Sequence, residues 1–268
     1  MCPHCRAFIT SDDKTCPYCE GAIGARAIDR RMPSDIMGFI PHARVTTVMI
    51  LLINTGLYVA MMFRHSATGG PPGMDPDGQT LFEFGAKYSG AIFAGQWWRL
   101  VTAGFLHGGM MHILMNSWVL FDLGVQVEEA YGTPRFLVLY FVTTITGFLA
   151  SAYWSPSLSI GSSAGIFGLI GAMIALGVKD RTSYGAALRS MYVRWAMYGL
   201  LMGLIPMFAV DNAAHIGGLA GGFGLAYVAG QPGFNAAIEQ LWKVAAGAAL
   251  ALTAVCFALM FRWLMTAH

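Results

Sequence analysis

SIGSSAGIFGLIGAM, residues 159–173, sets Gly161-Ser162-Ser163-Ala164-Gly165, a nucleophile-type pattern, at the head of an apolar run that ends at Lys179-Asp180-Arg181. A helix counted back from Lys179 to Ser163 at about 1.5 Å per residue is about 24 Å long, short of a hydrocarbon core of about 30 Å. Ser163 therefore falls below the outer surface of a membrane. Backbone without helical partners is tolerated at that depth only where protein covers it or a water-filled cavity wets it. The stretch reads as a short membrane helix whose first serine opens on a wet notch.

The composition agrees. The chain of 268 residues is 56% hydrophobic and 11% charged, with a mean hydropathy of +0.57, whereas soluble domains carry about 25% charged residues. A net charge of +2 gives no reason to expect nucleic acid as a partner. Around the opening stretch lie six further apolar segments, Val45–Phe63, Ala103–Val127, Phe136–Trp154, Met191–Val210, Ala213–Ala229 and Val244–Leu264. The expected fold is an all-α polytopic membrane protein. Between the first two segments runs a long Gly- and Pro-rich loop, His65 to Leu100, and its Trp97-Trp98-Arg99 suits the membrane–water interface.

With the N-terminus in the cytoplasm, only Arg64, Lys87, Arg99 and Arg262 of the 16 Lys and Arg residues fall on the outer side. That asymmetry predicts N-terminus in and C-terminus out. Met1 to Glu20 is polar and Cys-rich, unlike a secretory signal. Its two knuckles, Cys2-Pro3-His4-Cys5 and Cys16-Pro17-Tyr18-Cys19, can present four thiolates tetrahedrally to a structural zinc ion. A pair of disulfides is the alternative, which an oxidising compartment would favour. The expected organisation is a zinc ribbon over residues 1–22, a basic linker over 23–44, a six-helix core over 45–230, and a loop with a seventh membrane helix over 231–268. Cys256 sits alone in an apolar run and reads as a small buried hydrophobe.

Gly-x-Ser-x-Gly in a Gly-rich membrane helix also serves close packing, so the motif alone decides little. The sixth apolar segment adds His215 in Ala214-His215-Ile216-Gly217-Gly218, near the outer end of an otherwise apolar helix. Ionisable groups inside membrane helices are costly and point to function. Gly218 and Gly222 share a side with His215, as Phe167 and Ile170 share one with Ser163, and two glycine-lined helices can bring a hydroxyl to an imidazole. In the second segment His112 and Asn116 project from one face. They serve either as polar glue between helices or as donors to an oxyanion, each such donor being worth about 3–4 kcal/mol. His107 either assists the site or caps the helix. Asp211, four residues before His215, reads as a solvated carboxylate or an N-cap rather than a third catalytic member.

These motifs, in this order on alternate segments, resemble the rhomboid family of intramembrane serine proteases over roughly Val45 to Ala229, and Trp98-Arg99 fits the family pattern. The resemblance implies a six-helix core and a Ser-His dyad that cleaves transmembrane helices of single-pass proteins near the outer face of the bilayer. It assigns Ser163 as nucleophile and His215 as general base and acid. His112, Asn116 and the Ser163 backbone N–H would form the oxyanion hole. Phe167 would pack on the histidine, and Gly161, Gly165, Gly218 and Gly222 would support the site. The register points to Ser163 rather than Ser162. No cofactor is implied for catalysis, and the zinc ribbon would dock a cytoplasmic protein. A prokaryotic inner membrane is the expected location. The rivals are an inactive rhomboid-like scaffold that binds helices, a metal site built from His107, His112 and His215, and a ribbon protein with a membrane anchor.

Overall fold

A computed structural model describes residues 5, 15–21, 45–70, 73, 75–205 and 210–266. The chain divides into two compact units, Met1–His42 and Ala43–His268. In the first unit Cys16 turns back on itself: its N–H donates to Gly21 O at 3.0 Å and its carbonyl accepts from Glu20 N at 2.9 Å. Residues 22–44, which hold all of the expected linker, lie outside the described residues.

The second unit is all-helical, with no strand among the described residues. Its helices are α1 (Val45–Ala67), three short ones α2 (Gly78–Glu83), α3 (Ser89–Phe93) and α4 (Arg99–Thr102), then α5 (Met110–Trp154), α6 (Ser163–Lys179), α7 (Ser183–Met202), α8 (Asn212–Ala229) and α9 (Ala236–Thr266). Among the described residues α1, α5 and α9 are long and apolar enough to cross a membrane, and α6 is a shorter apolar helix. This is an integral membrane protein of the all-α class.

The apolar segments map onto these helices with corrections. The second and third form one 45-residue run, α5, broken at Gly132 (φ 74°, ψ 157°). That backbone region suits glycine, and Pro134 two residues later removes an N–H and restricts the residue before it. The two limbs of α5 meet there. The second segment begins not at Ala103 but at Met110, because Ala103–Phe105 is a 3-10 turn and Leu106 is extended. The fifth is not Met191–Val210. Thr182 accepts a bond from Gly185 N and starts α7 at Ser183, and the helix ends at Met202. The last begins at Ala236 rather than Val244, with Asn235 Oδ1 accepting from Ala237 N and Ile238 N.

The loop His65 to Leu100 is built, not open. Asp77 caps α2 by accepting from Thr80 N at 2.7 Å, and this bond holds its carboxyl below the ordinary aspartate pKa. Arg99 is 0% exposed, its guanidinium enclosed by protein. Its Nη1 donates to Phe82 O at 2.8 Å and Ala86 O at 2.9 Å, and its Nε donates to Gln96 Oε1. Backbone carbonyls and aromatic faces replace the water an interfacial guanidinium would have kept.

At the centre stands α6, buried on nearly every side, as expected of a helix apolar all round. It packs chiefly on α8 and on α5. A Cβ at Gly218 would run into the carbonyl of Ala164, and one at Gly222 into that of Gly168. Both glycines let the two backbones approach within the space of a missing methyl. Thr146 Oγ1 donates to Gly217 O at 3.1 Å and Tyr131 OH to Ala172 O at 2.9 Å, tying α5 to both neighbours.

Candidate active site

The site lies where α6 and α8 begin. The chain reaches α6 through Gly161 (φ 118°), whose N–H donates to Ala103 O at 2.9 Å. This left-handed turn aims the next two serines differently. Ser162 is fully buried, and its Oγ lies 3.3 Å from Asn116 Oδ1 and 3.5 Å from His107 Nε2. Ser163 is only half-buried. Of the adjacent hydroxyls, Ser162 is engaged within the protein and Ser163 keeps partial exposure.

His215 sits one turn into α8, 5% exposed, with its ring stacked on Phe167 at 3.9 Å and 12°. Phe167 follows Ser163 by one turn of α6, and on another side it meets α7, where a Cβ at Gly199 would lie 2.5 Å from Phe167 Cζ. The imidazole plane is therefore set by a ring that is itself confined. Its Nδ1 has no hydrogen-bond partner among the described residues, and no bond joins the imidazole to Ser163. Bonds of this kind often tighten only when substrate is bound. Asp211 caps α8 by accepting from Ala214 N at 3.1 Å, and it also accepts from Ser151 Oγ. Its carboxylate is thus occupied at the helix end.

On the other side of Ser163 stands His112. Gly108 N donates to its Nδ1 at 3.4 Å, so the ring proton belongs on Nε2. A Cβ added to Gly161 would lie 2.8 Å from that Nε2 and 3.6 Å from Ser163 Oγ. One small space therefore borders both an N–H donor and the serine hydroxyl. Asn116 donates to His112 O at 2.9 Å while its Oδ1 takes the Ser162 hydroxyl. In this arrangement it braces His112, with one amide hydrogen left over. His107 is fully buried and packs edge-on against His112 at 5.1 Å. Gly165 packs against Tyr140 and Thr144.

Sequence reasoning missed Lys87. It is 0% exposed, its backbone exchanges bonds with Ser159 at 2.9 and 3.0 Å, and its Nζ donates to Ser155 O and, at 3.1 Å, to Ser157 O. Burial pulls its ammonium below the ordinary lysine pKa, opposed by the Asp211 charge. A lone lysine in a loop carries no spacing signal that announces this role.

In the N-terminal unit the Sγ atoms of Cys5, Cys16 and Cys19 lie within 4.8 Å of one another, Cys5 and Cys16 at 3.6 Å. Among the described residues no disulfide forms. Tetrahedral zinc with Zn–S of about 2.3 Å holds its sulfurs about 3.8 Å apart, so three thiols fit such an ion. Cys2, the expected fourth ligand, lies outside the described residues.

Comparison with known proteins adds an independent finding. Residues 94–232, just over half of the chain, match the family model described as Rhomboid domain. The chain is 35% identical over 196 residues to Rhomboid protease GluP of Bacillus subtilis (strain 168), covering 73% of this chain and 38% of that protein. It is 33% identical over 161 residues to RHOMBOID-like protein 6, mitochondrial, of Arabidopsis thaliana, covering 59% of this chain and 52% of the relative. With Rhomboid-like protease 1 of Toxoplasma gondii the identity is 33% over 193 residues, covering 69% and 66%. The chain thus spans only part of each relative's length.

Proposed function

Because the chain belongs to the rhomboid family, we propose that it is an intramembrane serine endopeptidase working through Ser163 and His215. The observation that carries this reading is the division of labour at the head of α6: Ser162 is buried and bonded, while Ser163 is open beside an imidazole stacked on Phe167. In the reaction His215 takes the Ser163 proton as Oγ attacks the scissile carbonyl carbon. The negative oxygen of the tetrahedral intermediate receives hydrogen bonds from His112 Nε2–H, the Ser163 backbone N–H and the spare Asn116 amide hydrogen. His215 then hands its proton to the leaving amine, and the acyl-enzyme forms as the C–N bond breaks. Water, deprotonated by the same imidazole, releases the acid and restores the serine. Phe167 holds the ring plane, a task the third acid performs in triads.

The substrates in this reading are single-pass membrane proteins whose helices unwind near the outer face, where α6 begins. The N-terminus lies in the cytoplasm and the C-terminus outside, by the distribution of Lys and Arg. The location in this reading is a prokaryotic inner membrane. Cys2, Cys5, Cys16 and Cys19 would hold a structural zinc ion, and that unit would dock a cytoplasmic protein.

The test purifies wild type, Ser163→Ala, Ser162→Ala and His215→Ala in detergent and offers each a fluorophosphonate probe and a model single-pass substrate. Ser163→Ala and His215→Ala should lose cleavage by at least about 10³-fold, and Ser162→Ala should retain it. A folded wild type that neither labels nor cuts would make the protein a helix-binding scaffold instead.

A further inference from the structure

The seventh membrane helix turns a buried stripe toward the protein: Ala246, Ala249, Cys256 and Met260. Trp263 continues that face, three residues past Met260 and seven past Cys256. Its ring meets Phe82 edge-on at 5.3 Å and Trp98 at 6.2 Å, and the Arg99 guanidinium lies 4.8 Å from its centroid. Phe257 adds an edge contact to Phe105 at 5.3 Å. At the other end of α9, Arg135, 2% exposed, grips Glu239 through both nitrogens at 2.6 and 2.9 Å and lies 5.0 Å from the Trp242 ring. The helix is fastened to the core at both ends.

Beyond Trp263 the contacts continue without a gap. Arg99 holds the carbonyls of Phe82 and Ala86. The next residue, Lys87, exchanges two backbone bonds with Ser159, and its ammonium donates to the carbonyls of Ser155 and Ser157. Two residues after Ser159 comes Gly161, bonded to Ala103 O at 2.9 Å, and then the serines. We propose that Trp263 is a positioning residue: it fixes the Arg99-centred turn, and through Lys87 and Ser159 it sets the loop that aims Ser163. The seventh helix is then a strut of the active site rather than an added anchor. The proposal rests on the reading of Ser163 as the nucleophile.

A guanidinium held among rings loses the shielding of one face when Trp263 is removed, and its bonds to the two carbonyls weaken as solvent competes. The test uses the full chain in detergent with Trp263→Ala, Trp263→Phe and, as a control on the exposed face of α9, Phe261→Ala (59% exposed). Amide exchange is followed at 84–88 and 155–161, alongside kcat and KM on a model single-pass substrate. Trp263→Ala should speed exchange in those two segments roughly tenfold and lower kcat roughly tenfold at nearly constant KM. Trp263→Phe should restore most of both, and Phe261→Ala should match wild type. Unchanged exchange in both segments overturns the proposal whether or not the protein cuts. Equal acceleration throughout α6 and α8 overturns it too, since that would mark general loss of stability. A wild type inert to the probe and the substrate overturns the nucleophile reading and with it the catalytic half of the proposal, while the exchange response still decides the strut.

Discussion

The α6–α8 seam and the layer of short helices α2–α4 hold the candidate site by opposite means. The seam works by subtraction: at Gly218 and Gly222 the missing Cβ lets backbone meet backbone, and the gain is dispersion spread over two helices. The layer works by addition. Two buried cations, Arg99 and Lys87, reach across and bond the carbonyls of Phe82, Ala86, Ser155 and Ser157. The first device tolerates no new atom and the second tolerates no lost donor. Steric precision in a helix pair can be had from small residues, whereas an irregular loop has unpaired carbonyls that need explicit partners.

The sharpest way to break the seam is Gly222→Val, whose branched side chain would meet the Gly168 carbonyl. We expect a loss of about 3 kcal/mol or failure to fold, read as a lowered Tm in detergent. If this variant keeps wild-type Tm and activity, the seam is not close-packed. For the layer, Arg99→Lys should cost about 2–3 kcal/mol, since an ammonium lacks the planar fork that serves Phe82 O, Ala86 O and Gln96 together. An unchanged Tm there would remove the distinction between the two regions.

Phe167 belongs to the seam and stacks on His215, which the proposed function makes the general base. Phe167→Leu keeps apolar volume and loses the stacked face on His215, so kcat should fall about tenfold with Tm nearly unchanged. A fall in Tm as large as that of Gly222→Val would make Phe167 a packing residue only. The smallest expected effect on catalysis comes from Cys5→Ser with Cys16→Ser. Metal analysis should show zinc lost, while peptide cleavage in detergent stays within about twofold of wild type. Loss of all cleavage in that variant would mean that the two units are chemically joined.

How much of this was legible differs between the two regions for a physical reason. Glycines three and seven residues after a histidine show in one dimension, because helical periodicity converts spacing into a shared face. Ser163, His215, Phe167, Gly218 and Gly222 could all be named from spacing and family likeness, and the structure brings their helices together. Lys87 and Arg99 could not be located in this way. Their partners lie on carbonyls up to 70 residues away, and a carbonyl has no sequence identity. The misplaced starts of α5 and α7 have a similar origin: hydropathy marks where a chain can enter a membrane, while local turns and caps, such as Thr182, decide where the helix begins.

By itself the sequence determined that this chain is an all-α membrane protein of glycine-lined helices, with a Gly-x-Ser-x-Gly motif and a lone histidine on its fourth and sixth apolar segments and a thiol-rich N-terminal segment. Those properties follow from composition and local periodicity, which need no knowledge of neighbours. Only the tertiary structure decided that Ser162 is buried and bonded while Ser163 is half-buried, that Asn116 bonds the His112 carbonyl, and that Arg99 and the short helices meet Trp263 of the last helix. Each of these depends on which groups meet across long separations in sequence, where burial forces every polar atom to find whatever partner the fold has brought within reach.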